Sequence, residues 1–242
     1  MAFKPLVASK EIAEKYKRYL RTIFEISDKD YAEQFLRELN KQSTFASGPY
    51  LDVTDSFVKG ASITQMIDSG KLPKSFIRFN IPKERPLYKH QEAAINKVIQ
   101  GKNIVVSTGT GSGKTESFLY PILRQLAYEE ESGILDEGVR ALIIYPMNAL
   151  ANDQIERLRE ILIDYPTITF GSYTGQTKEK YDKSLSEYKV LNNSMPLSNE
   201  IISREQMKEK PPHILITNYS MLEYLMLRPE DSIFFSQHLA DR

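Results

Sequence analysis

The feature that most constrains this chain is the stretch Ser107-Thr108-Gly109-Thr110-Gly111-Ser112-Gly113-Lys114-Thr115. An apolar run (NIVVS, residues 103–107) precedes it, and a helical pattern over residues 114–130 follows. A glycine-rich loop between a buried strand and a helix turns successive backbone N–H groups toward an anion. The start of the helix adds its partial positive charge. Lys114 then faces the β- and γ-phosphates of a nucleoside triphosphate, and the Thr115 hydroxyl is placed to ligand Mg²⁺. The strict pattern has glycine where this chain has Thr108, so Gly109 and Gly111 supply the flexibility. A structural glycine turn is the alternative; the Gly-Lys-Thr ending and the strand–loop–helix context speak against it.

The pattern around this loop alternates. Residues 88–100 read as a helix stopped by Gly101, and residues 103–107 as a short buried strand. Residues 139–145 (VRALIIY) form a second apolar strand, and Pro146 suits the first turn of a helix running to about Ile163. Residues 168–172 read as a third strand and residues 213–217 (HILIT) as a fourth. Strands that are apolar throughout, separated by helices, imply an α/β fold: a parallel sheet with helices on both faces. Residues 178–210 are charged and irregular, an inserted helical hairpin or a mobile loop, ended by Pro211-Pro212. Upstream, Ile12, Tyr16, Tyr19, Leu20 and Ile23 fall at helical spacing, and Tyr31, Phe35 and Leu39 repeat it, which reads as two packing helices. Ser47-Gly48-Pro49 breaks that pattern. Ser62-x-x-Gln65 opens a short helix as a capping box and Gly70 closes it. Pro73, Pro82 and Pro86 mark a linker. The expected organisation is a helical N-terminal region over residues 1–85 and an α/β lobe over residues 86–242.

Composition removes several classes. The chain has no cysteine, so it has no disulfide frame, thiolate metal site or cysteine nucleophile, and its three histidines are far apart. Lys plus Arg and Asp plus Glu are 32 each. A net charge of zero neither requires nor forbids nucleic acid, because only a contact face need be basic. No apolar run approaches the ~20 residues of a membrane helix, and the N-terminus lacks the apolar core of a signal peptide. The expectation is a cytoplasmic protein without a membrane.

Several stretches, in order, resemble the first RecA-like lobe of superfamily 2 helicases of the DEAD/DEAH-box kind. Leu87-Tyr88-Lys89-His90-Gln91 is similar to the glutamine motif, in which the amide of Gln91 would read the adenine edge by donating and accepting at once. Residues 107–116 resemble motif I, which implies ATP contacts from Thr108, Gly109, Thr110, Gly111, Ser112, Gly113, Lys114 and Thr115. Residues 145–154 (YPMNALANDQ) resemble motif Ia, with Met147 where the family has Thr and Gln154 one residue late. Tyr173-Thr174-Gly175 and Thr217-Asn218-Tyr219 resemble the two further motifs that hold a nucleic-acid backbone. The resemblance therefore implies nucleic-acid contacts from Pro146, Asn148, Ala149, Tyr173, Thr174, Gly175, Thr217, Asn218 and Tyr219. Such groups bind phosphates without reading bases. Over about residues 85–235 the wording narrows to large bacterial helicases with a C-terminal zinc-binding domain. These include DNA-repair helicases and subunits of the DISARM and Druantia phage-defence systems.

The resemblance also shows what the 242 residues leave out. The family's Asp-Glu-x-His box, which holds Mg²⁺ and positions water, belongs some 25–35 residues after the Thr217 motif. Asp136-Glu137 reads as a solvated loop instead. No catalytic residue is therefore assigned. The expectation is the N-terminal part of a longer ATP-dependent helicase, acting on DNA rather than RNA and completed by a second RecA-like lobe and possible defence-system subunits. Alone it should bind ATP weakly and hydrolyse it negligibly. The alternatives are a non-catalytic nucleic-acid or protein-binding module left by truncation, and a P-loop kinase, which leaves Gln91 and the 146–154 and 217–219 motifs without a role.

Overall fold

The structure is a computed structural model that describes residues 4–41, 50 and 56–235. The chain divides into two compact units, Met1–Ser56 and Phe57–Arg242.

The first unit contains α1 (Pro5–Ile23) and α2 (Lys29–Asn40). Pro5 starts α1 with its φ already helical, and the Asp28 side chain caps α2 by accepting from the amides of Asp30 and Tyr31. The expected packing faces are only partly used. Ile12, Tyr16, Tyr19 and Ile23 are exposed and no residue of α1 is buried; Leu39 is the buried position of α2. Phe24 meets Phe35 edge-on at 6.0 Å. Two helices of this size enclose little volume, so helical spacing alone does not produce a core. Ser47-Gly48-Pro49 lies outside the described residues.

The second unit starts before the expected boundary at Pro86. Strand β1 (Lys59–Ser62) pairs antiparallel with β2 (Pro86–Tyr88). Between them lie α3 (Ile63–Asp68) and a 3₁₀ turn (Lys74–Arg78). The Ser62–Gln65 capping box forms in full, and Gly70, at φ +72°, closes α3. Ile63, Met66, Leu72, Phe76, Phe79 and Ile81 are buried in the same core as Leu119, Leu123 and Tyr165. Phe79 stacks on Tyr165 at 4.5 Å, and the Arg78 guanidinium lies over the Tyr165 ring at 4.0 Å from its centroid. The prolines thus shape a strap bound to the lobe rather than a linker. Burial of six large apolar side chains there is worth more than the chain connectivity that proline spacing reports.

The main sheet is parallel, in the order β3 (Ala141–Tyr145), β6 (Ile214–Asn218), β4 (Phe170–Tyr173), β5 (Glu200–Ile201). Its faces are both covered, as the apolar strands require. Ile143, Phe170, Ile214 and Ile216 point into the core under α5 (Lys114–Glu131) and α6 (Asn148–Leu162). Leu215, Tyr173 and Ile201 point into a second core with Met207 of α8 (Arg204–Glu209), and with Met221 and Leu225 of α9 (Tyr219–Leu227). Helix α4 (Lys89–Ile99) packs on α5.

Three expectations need correction. Residues 103–107 join no ladder and form no strand, and Val105 is 96% exposed. A β pattern becomes a strand only where a neighbour supplies hydrogen bonds, and this segment is paired into neither sheet. Residues 178–210 are not an insertion apart from the fold. They form α7 (Tyr181–Asn192), the edge strand β5 and α8. The segment is anchored by Arg159, whose Nε–H is shared between the two carboxylate oxygens of buried Glu200, each 3.0 Å away. Its charges read as solvated because their buried partners are distant in sequence. Finally, Pro146 lies before the cap of α6, which is Met147, and not in the first helical turn.

Candidate functional site

The phosphate loop is held from α4. Gln91, at the third position of α4 and only 5% exposed, accepts from the amide of Tyr88 (2.8 Å) and donates Nε2–H to the Gly113 carbonyl (2.9 Å). His90 Nε2 donates to the Ser112 carbonyl at 2.9 Å. Two carbonyls of the loop are thus engaged on the outside, which leaves N–H groups for an anion. Within the loop, the Thr108 and Ser112 hydroxyls meet at 2.6 Å. Lys114 Nζ donates to the Gly109 carbonyl at 3.0 Å and spans the loop from end to start. Gly113, at φ +70°, caps α5; a Cβ there would lie 2.4 Å from Gln91 Nε2 and 2.9 Å from Glu116 Oε2. Glycine is therefore required by both conformation and space. A Cβ at Gly109 or Gly111 would meet nothing within 4 Å, so the cradle is open there. Thr110 is exposed and Thr115 is half-buried in the first turn of α5. An open loop with an ammonium across it and a helix start beneath it fits a triphosphate with its metal ion.

Sequence reading missed His90, Glu116 and Arg157. Glu116 pairs with Arg157 of α6, which ties the phosphate-loop helix to the helix that carries residues 148–154. A cavity of about 390 Å³ opens here, between residues 80–88 of the strap and Gln91, Gly113, Glu116 and Arg157. Burial and then the nearby Glu116 carboxylate push the phenol of Tyr120, in the same wall, up to about 12. The signal for Glu116 and Arg157 was weak, since a charge in a helix is ordinarily a solvated one.

The other motifs converge at the carboxyl ends of neighbouring strands, where α/β sheets bind ligands. Register pairs Tyr145 with Asn218 and Tyr173 with Thr217. Thr217 is fully buried and donates its hydroxyl to the Tyr173 carbonyl at 2.7 Å. Asn218 accepts from the Met221 amide (2.7 Å), which caps α9, and donates Nδ2–H to Asn148 Oδ1 (2.6 Å). The Thr174 hydroxyl accepts from the Gln176 amide, and its carbonyl accepts from Arg204 at 3.0 Å. Tyr173, 1% exposed, donates its hydroxyl to the buried Asp231 at 3.2 Å; burial and then the Asp231 carboxylate push its phenol up to about 12, against the opposing pull of Arg204. Pro146, Ala149, Gly175 and Tyr219 are exposed, and Tyr219 is 71% so. The structure brings the three motifs together. Within them it buries Tyr173, Thr174 and Thr217 and leaves Pro146, Ala149, Gly175 and Tyr219 at the surface.

Residues 88–238 match the DEAD/DEAH box helicase family. The chain belongs to that family. This helicase domain has relatives over different lengths. The Druantia protein DruE of Escherichia coli is 28% identical, across 94% of this chain and 17% of its own length. The ATP-dependent helicase YprA of Bacillus subtilis is 35% identical across 58% of this chain and 15% of its own. The ATP-dependent helicase Lhr-Core of Methanothermobacter thermautotrophicus is 33% identical, again across 58% and 15%. The chain thus spans about one sixth of the length of these relatives. Among solved structures, the DUF1998 helicase MrfA bound to DNA and AMPPNP is 27% identical, covering 68% of this chain and 20% of that one, with a TM-score of 0.48. The family match and the similarity to DruE bear out the resemblance to superfamily 2 helicases and to the Druantia helicases. Among the described residues no helix is long and apolar enough to cross a membrane.

Proposed function

We propose that this chain is the ATP-binding first lobe of an ATP-dependent DNA helicase or translocase, serving phage defence or DNA repair. Residues 109–115 hold the triphosphate by backbone N–H groups, with Lys114 on the β- and γ-phosphates and Thr115 on Mg²⁺, which supplies charge neutralisation when bound. The Gln91 amide, spent on Tyr88 and Gly113, acts first on the loop's shape and meets adenine only if it gives up those bonds. Asn148, Thr217, Asn218 and Tyr173 form the rigid support of a strand-binding surface whose exposed members are Pro146, Ala149, Gly175 and Tyr219. The observation that supports this reading is the bonding of Asn218 to Asn148 and of Thr217 to the Tyr173 carbonyl, which joins residues 146–154, 173–175 and 217–219 at neighbouring strand ends. The similarity to DruE across nearly the whole chain supports the defence role.

In the full-length protein, Lys114→Ala should abolish single-stranded-DNA-stimulated ATP hydrolysis. Turnover that survives this change would remove the assignment. The 242-residue chain alone should hydrolyse ATP at background rate, since no groups for water activation are assigned in it. Anisotropy titrations with single-stranded DNA and RNA of one sequence should show tighter binding of DNA. Equal binding would leave a nucleic-acid lobe of no sugar preference.

A further inference from the structure

Residues 178–210 lend the strand-terminus cluster a side chain that lies outside all three of its motifs. Arg204 opens α8, and its backbone amide donates to the Lys178 carbonyl at 3.0 Å. Its Nη2 donates to the Thr174 carbonyl at 3.0 Å, and its guanidinium carbon lies 5.0 Å from the centre of the Tyr173 ring. That ring is buried, meets Phe234 edge-on at 5.4 Å and ends on Asp231. The Arg204 Nε is buried as well, so the guanidinium is turned toward the protein. A planar fork that stacks on a ring while donating to a carbonyl fixes both at once, which an ammonium does less well.

The consequence falls on the next peptide. The Thr174 carbonyl accepts a second bond, from the Thr177 amide at 3.2 Å, which closes a turn over residues 174–177. The Thr174 amide donates to the Thr177 hydroxyl, and the Gln176 amide to the Thr174 hydroxyl. Among the described residues no bond takes the amide of Gly175. The Thr174 carbonyl and the Gly175 N–H share one planar trans peptide and point opposite ways. With the carbonyl turned in to Arg204, the N–H is turned out. It lies at an exposed residue where a Cβ would meet nothing within 4 Å. A backbone N–H so placed is a donor for a phosphate oxygen.

We propose that Arg204 is a positioning residue for nucleic-acid binding: it holds the Thr174 carbonyl and thereby aims the Gly175 N–H at a backbone phosphate. This rests on the reading of residues 173–175 as part of a strand-binding surface. Arg204 does not touch the strand itself. The segment 178–210 is the inner brace of that surface, and α8 sets the direction of a donor that belongs to another element.

The test is a double-mutant cycle read at several salt concentrations. Labelled single-stranded DNA is titrated with the 242-residue chain by anisotropy, and urea midpoints serve as the folding control. Gly175→Pro removes the N–H in question. Gly175 is the second residue of the turn, where proline is favoured, and its φ is not left-handed. Arg204→Gln should weaken binding about tenfold, the effect of one hydrogen bond to a charged group. It should leave the slope of log affinity against log salt unchanged, because no ionic contact to a phosphate is lost. Gly175→Pro should weaken binding by a similar factor. The double variant should be no weaker than Gly175→Pro alone, since both changes act on one contact. Arg204→Lys keeps the charge and a donor without the planar fork. It should fall between native and Arg204→Gln, and it carries the cycle if the glutamine variant does not fold. Losses that multiply in the double variant overturn the proposal and leave the strand-binding surface standing. So does a slope reduced by about one in Arg204→Gln, or native affinity in that variant. If the native chain binds no single-stranded DNA, the surface reading fails and this inference fails with it.

Discussion

The phosphate loop and the strand-terminus cluster sit in one lobe but are held in opposite ways. The loop is fastened at its far end by His90 and Gln91, while the segment leading into it, residues 103–107, pairs with no strand. The cluster is knitted through adjacent strands, by Thr217 to Tyr173 and by Asn218 to Asn148. A loop defined by its own glycines needs few partners to be recognisable. A surface assembled from three strands exists only because those strands pair. The first region can therefore change shape locally, whereas disturbing the second disturbs the sheet.

The largest effect that would break this comparison is expected at Gly113. Alanine there must adopt a left-handed φ, at roughly 1–2 kcal/mol, and must displace Gln91 and Glu116. ATP affinity should fall by more than about tenfold, with single-stranded-DNA affinity much less affected. Equal loss of both would mean the two regions are not independent. The converse change is Thr217→Val. It keeps the shape and leaves the Tyr173 carbonyl without its buried donor, for about 1–3 kcal/mol in urea unfolding. Here DNA binding should weaken along with stability and ATP affinity should hold. Asn218→Ala should cost about 1 kcal/mol through the lost cap of α9, and it should lower DNA affinity more than that stability loss alone accounts for, because Asn148 loses its partner too.

How much of this was legible follows the same division. Ser107–Thr115 could be read directly because glycines, Lys114 and Thr115 do their work within nine residues. The α/β class was legible from apolar strands such as Ile214-Leu215-Ile216, whose alternate residues enter two different cores. The strap was not legible, since its prolines look like a linker and its partners, Leu119 and Tyr165, are far away in sequence. Nor was the burial of Tyr173, Thr174 and Thr217, because polar residues that support a surface have the same letters as those that touch a ligand. Glu116 and Arg157 escaped for a related reason: a charge in a helix reads as solvated until its partner 41 residues away is in place.

The smallest effect sharpens the comparison from the side of the sheet's opposite end. His213 precedes β6 and lies between the Thr169 amide, which donates to its Nδ1 at 2.9 Å, and the Asp136 carbonyl at 3.2 Å from Nε2. Burial first, with Arg140 and Lys210, lowers its pKa from the ordinary 6.5 despite the Asp136 carbonyl, which acts in the other direction. Below pH 6.5 the unfolded chain then takes up the proton more readily than the folded one. The stability His213 contributes is complete above that pH and is lost as pH falls through the window beneath it. Urea midpoints between pH 7.5 and 5.5 should decline, and His213→Gln should flatten that decline. ATP affinity, set on the other region, should follow neither.

The central claim is that residues 109–115 hold ATP and that Lys114 supplies the charge. It is tested most directly by titrating a fluorescent ATP analogue with Mg²⁺ into the native chain and into Lys114→Ala. Saturable weak binding in the first, lost by more than about tenfold in the second with an unchanged melting curve, is the predicted result. Equal affinity in the two proteins would contradict it.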